Sequence, residues 1–342
     1  MNDTTTPDLA HWTAVLAGTH GITARLEPLD GEYDLNFRVL TGGTATHVLK
    51  VMRPGCDPGL VEMQCAALAH LARTAPAVPL PRVVPALDGA SVVTRDGPDG
   101  QPRLLWLITS LDGVAYGNFR PHGPALLGEL GRRIGEIDAG LADFAHPGLA
   151  RSFKWNLTEA GWIRPHLDLI EEPRRRIVTR ICDEFDARLA PALAGLPKVP
   201  IHNDINDYNI LVARDASGQP RISGLIDFGD MAAAPAVCEV AIAGAYAVLG
   251  HERPLDALGD LVAGYHAVRP LGDDELALVW PLLLTRLAVS VVNAVMMKRE
   301  RPDDPYVTIS QAPAWRLLEL SEDIAPEMAL AQLRLACGQP AL

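Results

Sequence analysis

The sequence predicts an α+β chain in two lobes, a small antiparallel sheet lobe followed by a larger, mainly helical one. Two observations carry this. The first third consists of short runs of β-branched and apolar residues broken by glycine-rich turns, the pattern of hairpins. After Asp112 and Gly113 the apolar residues recur at helical spacing over long stretches. The change of period sets expected boundaries at 1–111 and 112–342, and the joint between two such lobes is where a ligand cleft is expected.

Three short strands are expected at 21–29, 35–40 and 45–52, with turns at Gly31-Glu-Tyr-Asp34 and Thr41-Gly-Gly-Thr44. A helix follows over 58–73, where Val61, Cys65, Leu68 and Ala72 form one stripe. Strands at 83–95 and 103–109, separated by Asp96-Gly-Pro-Asp-Gly100, bring the sheet to five strands with one helix. Beyond the joint, helices are expected at 126–141, 174–193, 236–249, 255–265, 273–297 and 312–324. Between them, 210–214 and 222–226 form a hairpin around the turn formers Asp215-Ala-Ser-Gly-Gln-Pro220.

A length of 342 residues, 48% of them hydrophobic, is enough for a large core and excludes a disordered chain. The formal charge of −12 argues against a track for nucleic-acid phosphates. Five scattered cysteines without a Cys-x-x-Cys pair, and an N-terminus without a basic-then-apolar leader, suit the cytoplasm. The apolar run 280–297 contains Arg286 and Asn293, and a mid-membrane arginine is costly, so a buried helix is expected there and no membrane association. Neither a Walker A loop nor a dinucleotide fingerprint occurs. Oligomeric state is left open.

The chemistry is concentrated in His202-Asn-Asp-Ile-Asn-Asp-Tyr-Asn209, followed by Ile226-Asp-Phe-Gly-Asp230. This is the order His-x-Asp-x-x-x-x-Asn and then Asp-Phe-Gly that serves phosphoryl transfer. Asp204 would orient the attacking hydroxyl, with His202 bracing its loop. Asn209 opens the first strand of the hairpin and Asp227 closes the second, so a neutral oxygen and a carboxylate face one site, a pair suited to Mg2+. Lys50, between apolar neighbours on the third strand, would reach the phosphates of a nucleotide, with Glu62 on the next helix as its orienting partner. No Gly-x-Gly-x-x-Gly loop is present; Leu29-Asp-Gly-Glu-Tyr-Asp-Leu-Asn36 stands in its place, with Gly31 covering the phosphates and Asn36 ordering the turn.

On Val48-Leu-Lys-Val51, Glu62-Met-Gln-Cys-Ala-Ala-Leu68 and the two motifs above, the chain over 20–330 resembles the aminoglycoside phosphotransferase-like family of small-molecule kinases. The resemblance implies the bilobal protein-kinase-like fold, with Asp204 as catalytic-loop aspartate and Asn209 and Asp227 as metal ligands. The stretch from Ile226 into Glu239-Val-Ala-Ile-Ala243 looks closest to the hydroxylysine kinase branch. That branch favours GTP while the wider family uses ATP, so ATP or GTP is the implied donor. One departure is Asn203, where the family usually has glycine; asparagine tolerates unusual backbone angles better than most residues.

The expected acceptor is a small hydroxy amino acid or amine, 5-hydroxylysine first, with homoserine, choline or an aminoglycoside as alternatives. Asp207 and Asp230 lie near the motifs and would meet an ammonium, and Trp155 in Phe153-Lys-Trp-Asn-Leu-Thr158 would wall the pocket. Arg174, Arg175 and Arg176 are better read as a solvated helix face than as a carboxylate site. A catalytically inactive nucleotide-binding protein would lack the aspartate or a metal ligand, and none is missing. A protein kinase would show a recognisable activation segment after Asp227, and none follows it.

Overall fold

The computed structural model describes residues 8–29, 31, 34–300 and 311–341. Of the 29–36 loop, Asp30, Glu32 and Tyr33 lie outside the described residues. The sheet lobe contains α1 (Leu9–His20), β1 (Arg25–Leu29), β2 (Leu35–Thr41), β3 (Thr44–Val51), α2 (Pro58–Thr74), β4 (Val83–Val84), β5 (Val93–Asp96) and β6 (Pro102–Thr109). The strands form an antiparallel sheet in the order β1-β2-β3-β6-β4, with β5 also paired to β6.

The small antiparallel sheet and the larger helical part are as expected, but among the described residues the sheet has six strands rather than five and the lobe two helices rather than one. The stretch 83–95 does not run as one strand. Pro85 has no N–H for the ladder, and a tight turn at Asp88 and Gly89 bonds Ala86 N–H to Ala90 O. The unforeseen α1 carries its own signals. Asp8 caps it by accepting from His11 N–H, and Gly21 ends it in the left-handed conformation.

Strand alternation sorts the sheet's two faces. Phe37, Val39, Leu49, Val51, Leu105 and Leu107 pack with Trp12 and Leu16 of α1. Trp106 and Ile108 point the other way, into the core that α2 shares with the helical lobe. In register, Asn36 lies opposite Lys50 and Lys50 opposite Trp106. These three therefore sit side by side across the sheet on the α2 side.

The second part opens with β7 (Val114–Ala115) and α3 (Pro124–Gly140), and continues through α4 (Arg174–Glu184), α5 (Ala190–Ala194), β8 (Val199–Ile201), β9 (Ile210–Arg214) and β10 (Pro220–Leu225). It closes with β11 (Ala232–Ala234), α6 (Val237–Ala247), α7 (Pro254–His266), α8 (Asp273–Glu300), α9 (Gln311–Leu320) and α10 (Pro326–Ala336). The helix expected over 174–193 is α4 and α5 joined by a wider turn at Phe185–Leu189, and α10 was not expected. The hairpin β9–β10 forms as expected, with Leu225 opposite Ile210, and β7 pairs with its outer edge. Ser223 Oγ donates to Asp112 O at 2.6 Å, tying the connector to the same hairpin.

By length and composition α8 would cross a membrane, but 83% of its apolar window is buried in the fold, where it serves as a core helix. Elsewhere in the helical part, α3 and α7 pack backbone to backbone. A Cβ on Gly131 would stand 1.9 Å from Leu261 O, and one on Gly264 2.0 Å from Gly128 O, so neither position admits a side chain.

Candidate active site

The loop 202–209 links β8 to β9 and is held on every side. His202 is fully buried, and its ring lies 4.5 Å from that of Phe228. Its Nε2 faces the Ile226 carbonyl at 3.0 Å, so the proton sits there, and Nδ1 accepts from Asp204 N–H at 3.3 Å. Burial lowers its pKa to about 4. With both nitrogens spent inside the protein, His202 braces the loop.

Asn203 has φ +67°. It occupies the left-handed region that glycine or asparagine tolerates, and this is how the loop keeps its shape without the glycine usual at that position. Its N–H donates to Glu239 Oε2 at 2.9 Å, and its Nδ2 to Trp155 O at 3.4 Å. Asn206 closes an Asx turn, its Oδ1 accepting from Tyr208 N–H at 2.8 Å and Asn209 N–H at 3.1 Å.

Asp204 is the convergence point. Oδ1 accepts from Arg286 Nη2 at 2.9 Å, and Oδ2 accepts from Asn206 Nδ2 at 3.0 Å and Asn209 Nδ2 at 2.8 Å. Burial raises its pKa to about 7 against the pull of Arg286, while Asp230 pushes the same way as burial. Among the described residues three donors and no acceptor bond to the carboxyl, and these hydrogen bonds favour its ionised form.

Asn209 Nδ2 also donates to Asp204 O at 2.9 Å. Because both of its contacts are acceptors, the amide orientation is fixed by chemistry, and its oxygen is left for another partner. Asn209 O accepts from Ile226 N–H at 3.0 Å, which sets Asn209 next to the residue preceding Asp227. Asp227 has φ +65°, and its Oδ1 accepts from Gly229 N–H and from Lys50 Nζ, both at 3.3 Å. The Lys50 charge holds its pKa below the ordinary carboxylate range. Among the described residues no cluster of three or more acidic, histidine or cysteine side chains forms a metal cage. One amide oxygen and one carboxylate fit Mg2+, which takes few protein ligands and completes its octahedron with phosphate and water.

The remaining expected residues divide. Lys50 reaches the site, over the Trp106 ring at 5.3 Å. The expected Lys50–Glu62 pair is not formed: Lys50 pairs with Asp227, and Glu62 is exposed on α2. The buried stripe of Val61, Cys65 and Leu68 turns Glu62 outward, one residue and about 100° off that face. Gly31 is exposed at the mouth of its loop, where a Cβ would come within 2.6 Å of Asn36 Nδ2. Asn36 Oδ1 is buried beside Lys50 and has no partner among the described residues.

Trp155 lies beside Arg286, its ring 4.7 Å from the guanidinium. Asp230 pairs with Arg151 at 3.4 Å, and Arg151 also clamps the Asp-Phe-Gly turn through Gly229 O at 2.6 Å and Met231 O at 3.2 Å. Asp207 packs on the 116–118 turn, its carbonyl accepting from Gly117 N–H at 2.9 Å, and burial raises its carboxyl to about 6. Arg174 and Arg175 serve elsewhere, Arg174 with Glu319 at 2.8 Å and Arg175 with Ile170 O at 2.7 Å. Arg286, Glu239, Arg151 and Asn206 were not foreseen. Arg286 alone had a signal, as a charge inside an apolar run.

An aspartate held by amides and a guanidinium, beside an Asn–Asp pair and a lysine, is equipment for moving a phosphoryl group onto a hydroxyl. Residues 25–278 match the phosphotransferase enzyme family (APH), and the chain belongs to it. It is a small-molecule kinase. A hydroxylysine kinase of Danio rerio is 28% identical over 335 residues, covering 93% of this chain and 94% of its own. A microcompartment-associated aminopropanol kinase has TM-score 0.71 at 21% identity, covering 92% of this chain and 98% of its own. An amicoumacin kinase, solved with AMP-PNP and Ca2+, has TM-score 0.69 at 14% identity, covering 93% and 95%.

Proposed function

We propose that the chain transfers the γ-phosphoryl of ATP or GTP, with Mg2+, to the hydroxyl of a small hydroxy amino acid or amine, 5-hydroxylysine first. The observation that carries this is the nearness of two sets of groups: Asp204 with its bound amides, and the Lys50–Asp227 pair at 3.3 Å. The choice of 5-hydroxylysine rests on likeness to hydroxylysine kinases over nearly the whole chain.

Asn209 and Asp227 would hold the metal, which when bound neutralises charge on the nucleotide phosphates. Lys50 binds the α and β phosphates, and Gly31 and Asn36 shape the loop above them. Asp204 accepts a hydrogen bond from the acceptor hydroxyl and takes its proton late in the transfer, since a carboxylate is too weak a base to remove it beforehand. Asp230 and Asp207 supply negative charge for the acceptor's ammonium, and Trp155 packs against its carbon chain. The enzyme works in the cytoplasm on free small molecules, without nucleic acid or membrane.

The test compares kcat/KM for 5-hydroxylysine, homoserine, choline and kanamycin, each with ATP and with GTP, with and without Mg2+. Efficient phosphorylation of 5-hydroxylysine is expected. A clear preference for kanamycin or choline would overturn the acceptor, and no transfer to any of them would overturn the whole reading.

A further inference from the structure

Arg286 lies in the middle of α8 with 1% exposure. A buried guanidinium is costly unless its donors are matched, and an apolar residue of similar size would suit α8's surroundings without that cost. Its donors are matched on three separate segments: Nη2 on Asp204 Oδ1 at 2.9 Å, Nη1 on Trp155 O at 3.1 Å, and Nε on Tyr246 Oη at 3.2 Å. Its plane is flanked by the Trp155 ring at 4.7 Å and the Tyr246 ring at 5.5 Å. Two fixed bonds and two rings leave the third arm no freedom to follow Asp204; the carboxylate must come to it.

The lone pairs of Asp204 complete the case. Oδ2 has two, and Asn206 and Asn209 take both. Oδ1 has two, and Arg286 takes one. Among the described residues' bonds a single acceptor position remains on the carboxylate, and its direction is set by the bond on the other lone pair. We propose that Arg286 is a positioning residue for phosphoryl transfer, acting through Asp204 so that the one free lone pair of Oδ1 points at the acceptor hydroxyl. This rests on the kinase reading above, with Asp204 as the group that meets the hydroxyl.

The test uses the full chain and steady-state kinetics with whichever acceptor the wild type phosphorylates, alongside direct nucleotide-binding measurements. Arg286→Gln should lower kcat about 100-fold, as a misplaced catalytic group does, with nucleotide Kd within about twofold of wild type. Arg286→Lys, which keeps the charge but not the three-way fork, should recover kcat to within about tenfold of wild type. In the Asp204→Asn background either change should alter the residual kcat by no more than about twofold, because the residue it acts through is already gone. A folded R286Q with kcat within threefold of wild type overturns the proposal, and so do equal factors in the two backgrounds. Where R286Q does not fold, R286K decides in the same way, by comparing its factor with Asp204 present and with Asn in its place. A wild type that phosphorylates nothing fails the kinase reading, and this inference with it; an active wild type indifferent to position 286 fails this inference alone.

Discussion

Asp138→Asn should change how stability depends on pH. Asp138 is buried near the end of α3, with Tyr265 Oη donating to its Oδ2 at 2.5 Å. Its Oδ1 and Glu239 Oε1 have no partner among the described residues. Burial raises the Asp138 pKa from 3.8 to about 7, against the pull of the Tyr265 hydroxyl and Arg269. Burial and then the Asp138 charge raise Glu239 well above the ordinary carboxylate range.

Between pH 3.8 and about 7 the folded protein therefore keeps a proton that the unfolded chain has released. Stability from this group is fully present below pH 3.8 and is lost as pH rises through about 7. A shift of about three units corresponds to roughly 4 kcal/mol in all, at about 1.4 kcal/mol per pH unit until the curve levels above about 7. The neutral asparagine has no such slope. Urea unfolding of both proteins at pH 5, 6, 7 and 8 should show wild-type stability, relative to the variant, falling by roughly 2 to 3 kcal/mol over that range. A difference that stays constant within 0.5 kcal/mol would refute the assignment of a buried, protonated Asp138.

Three further outcomes are expected. Asp204→Asn should keep nucleotide affinity and lose about 100-fold or more in kcat, and wild-type turnover would show that another group meets the hydroxyl. Asp227→Ala should abolish turnover and remove the Mg2+ dependence of nucleotide binding in calorimetry; binding that still strengthens with Mg2+ would move the metal elsewhere. Asn203→Ala should cost about 1 to 2 kcal/mol in urea unfolding because of the left-handed backbone at φ +67°, and Asn203→Gly should cost less. Equal stability for the two variants would remove backbone strain as the reason for the preference.

The parts of the site that were legible lie on short contiguous stretches. His202 to Asn209 and Asp227 to Asp230 carry their spacing in the sequence, and the hairpin between them was marked by its turn formers. What stayed hidden comes from tertiary approach. Arg286 is 82 residues from Asp204, and Glu239 is 36 from Asn203. No local pattern says which buried charge finds which partner. Glu62 was misread because helix phase was applied to the apolar stripe and not to the acid beside it. The single strand expected over 83–95 gave too little weight to Pro85 and the Asp88–Gly89 turn, and α1 was passed over although Leu9, Trp12 and Leu16 share one face.

The glycine contact between α3 and α7 bears on how variants of this enzyme would be interpreted. Gly131 and Gly264 each precede, on its own helix, one partner of the Asp138–Tyr265 bond. An alanine at either glycine would meet a backbone carbonyl, which cannot rotate away, so the helices would have to separate. Tyr265 would draw back from Asp138, and the disturbance would pass to neighbouring Glu239 and the Asn203 amide it holds. A laboratory screen would score such a substitution as a loss of turnover, although it touches neither nucleotide nor acceptor. Only a measurement of folded fraction beside the rate would show that the fault began in the scaffold.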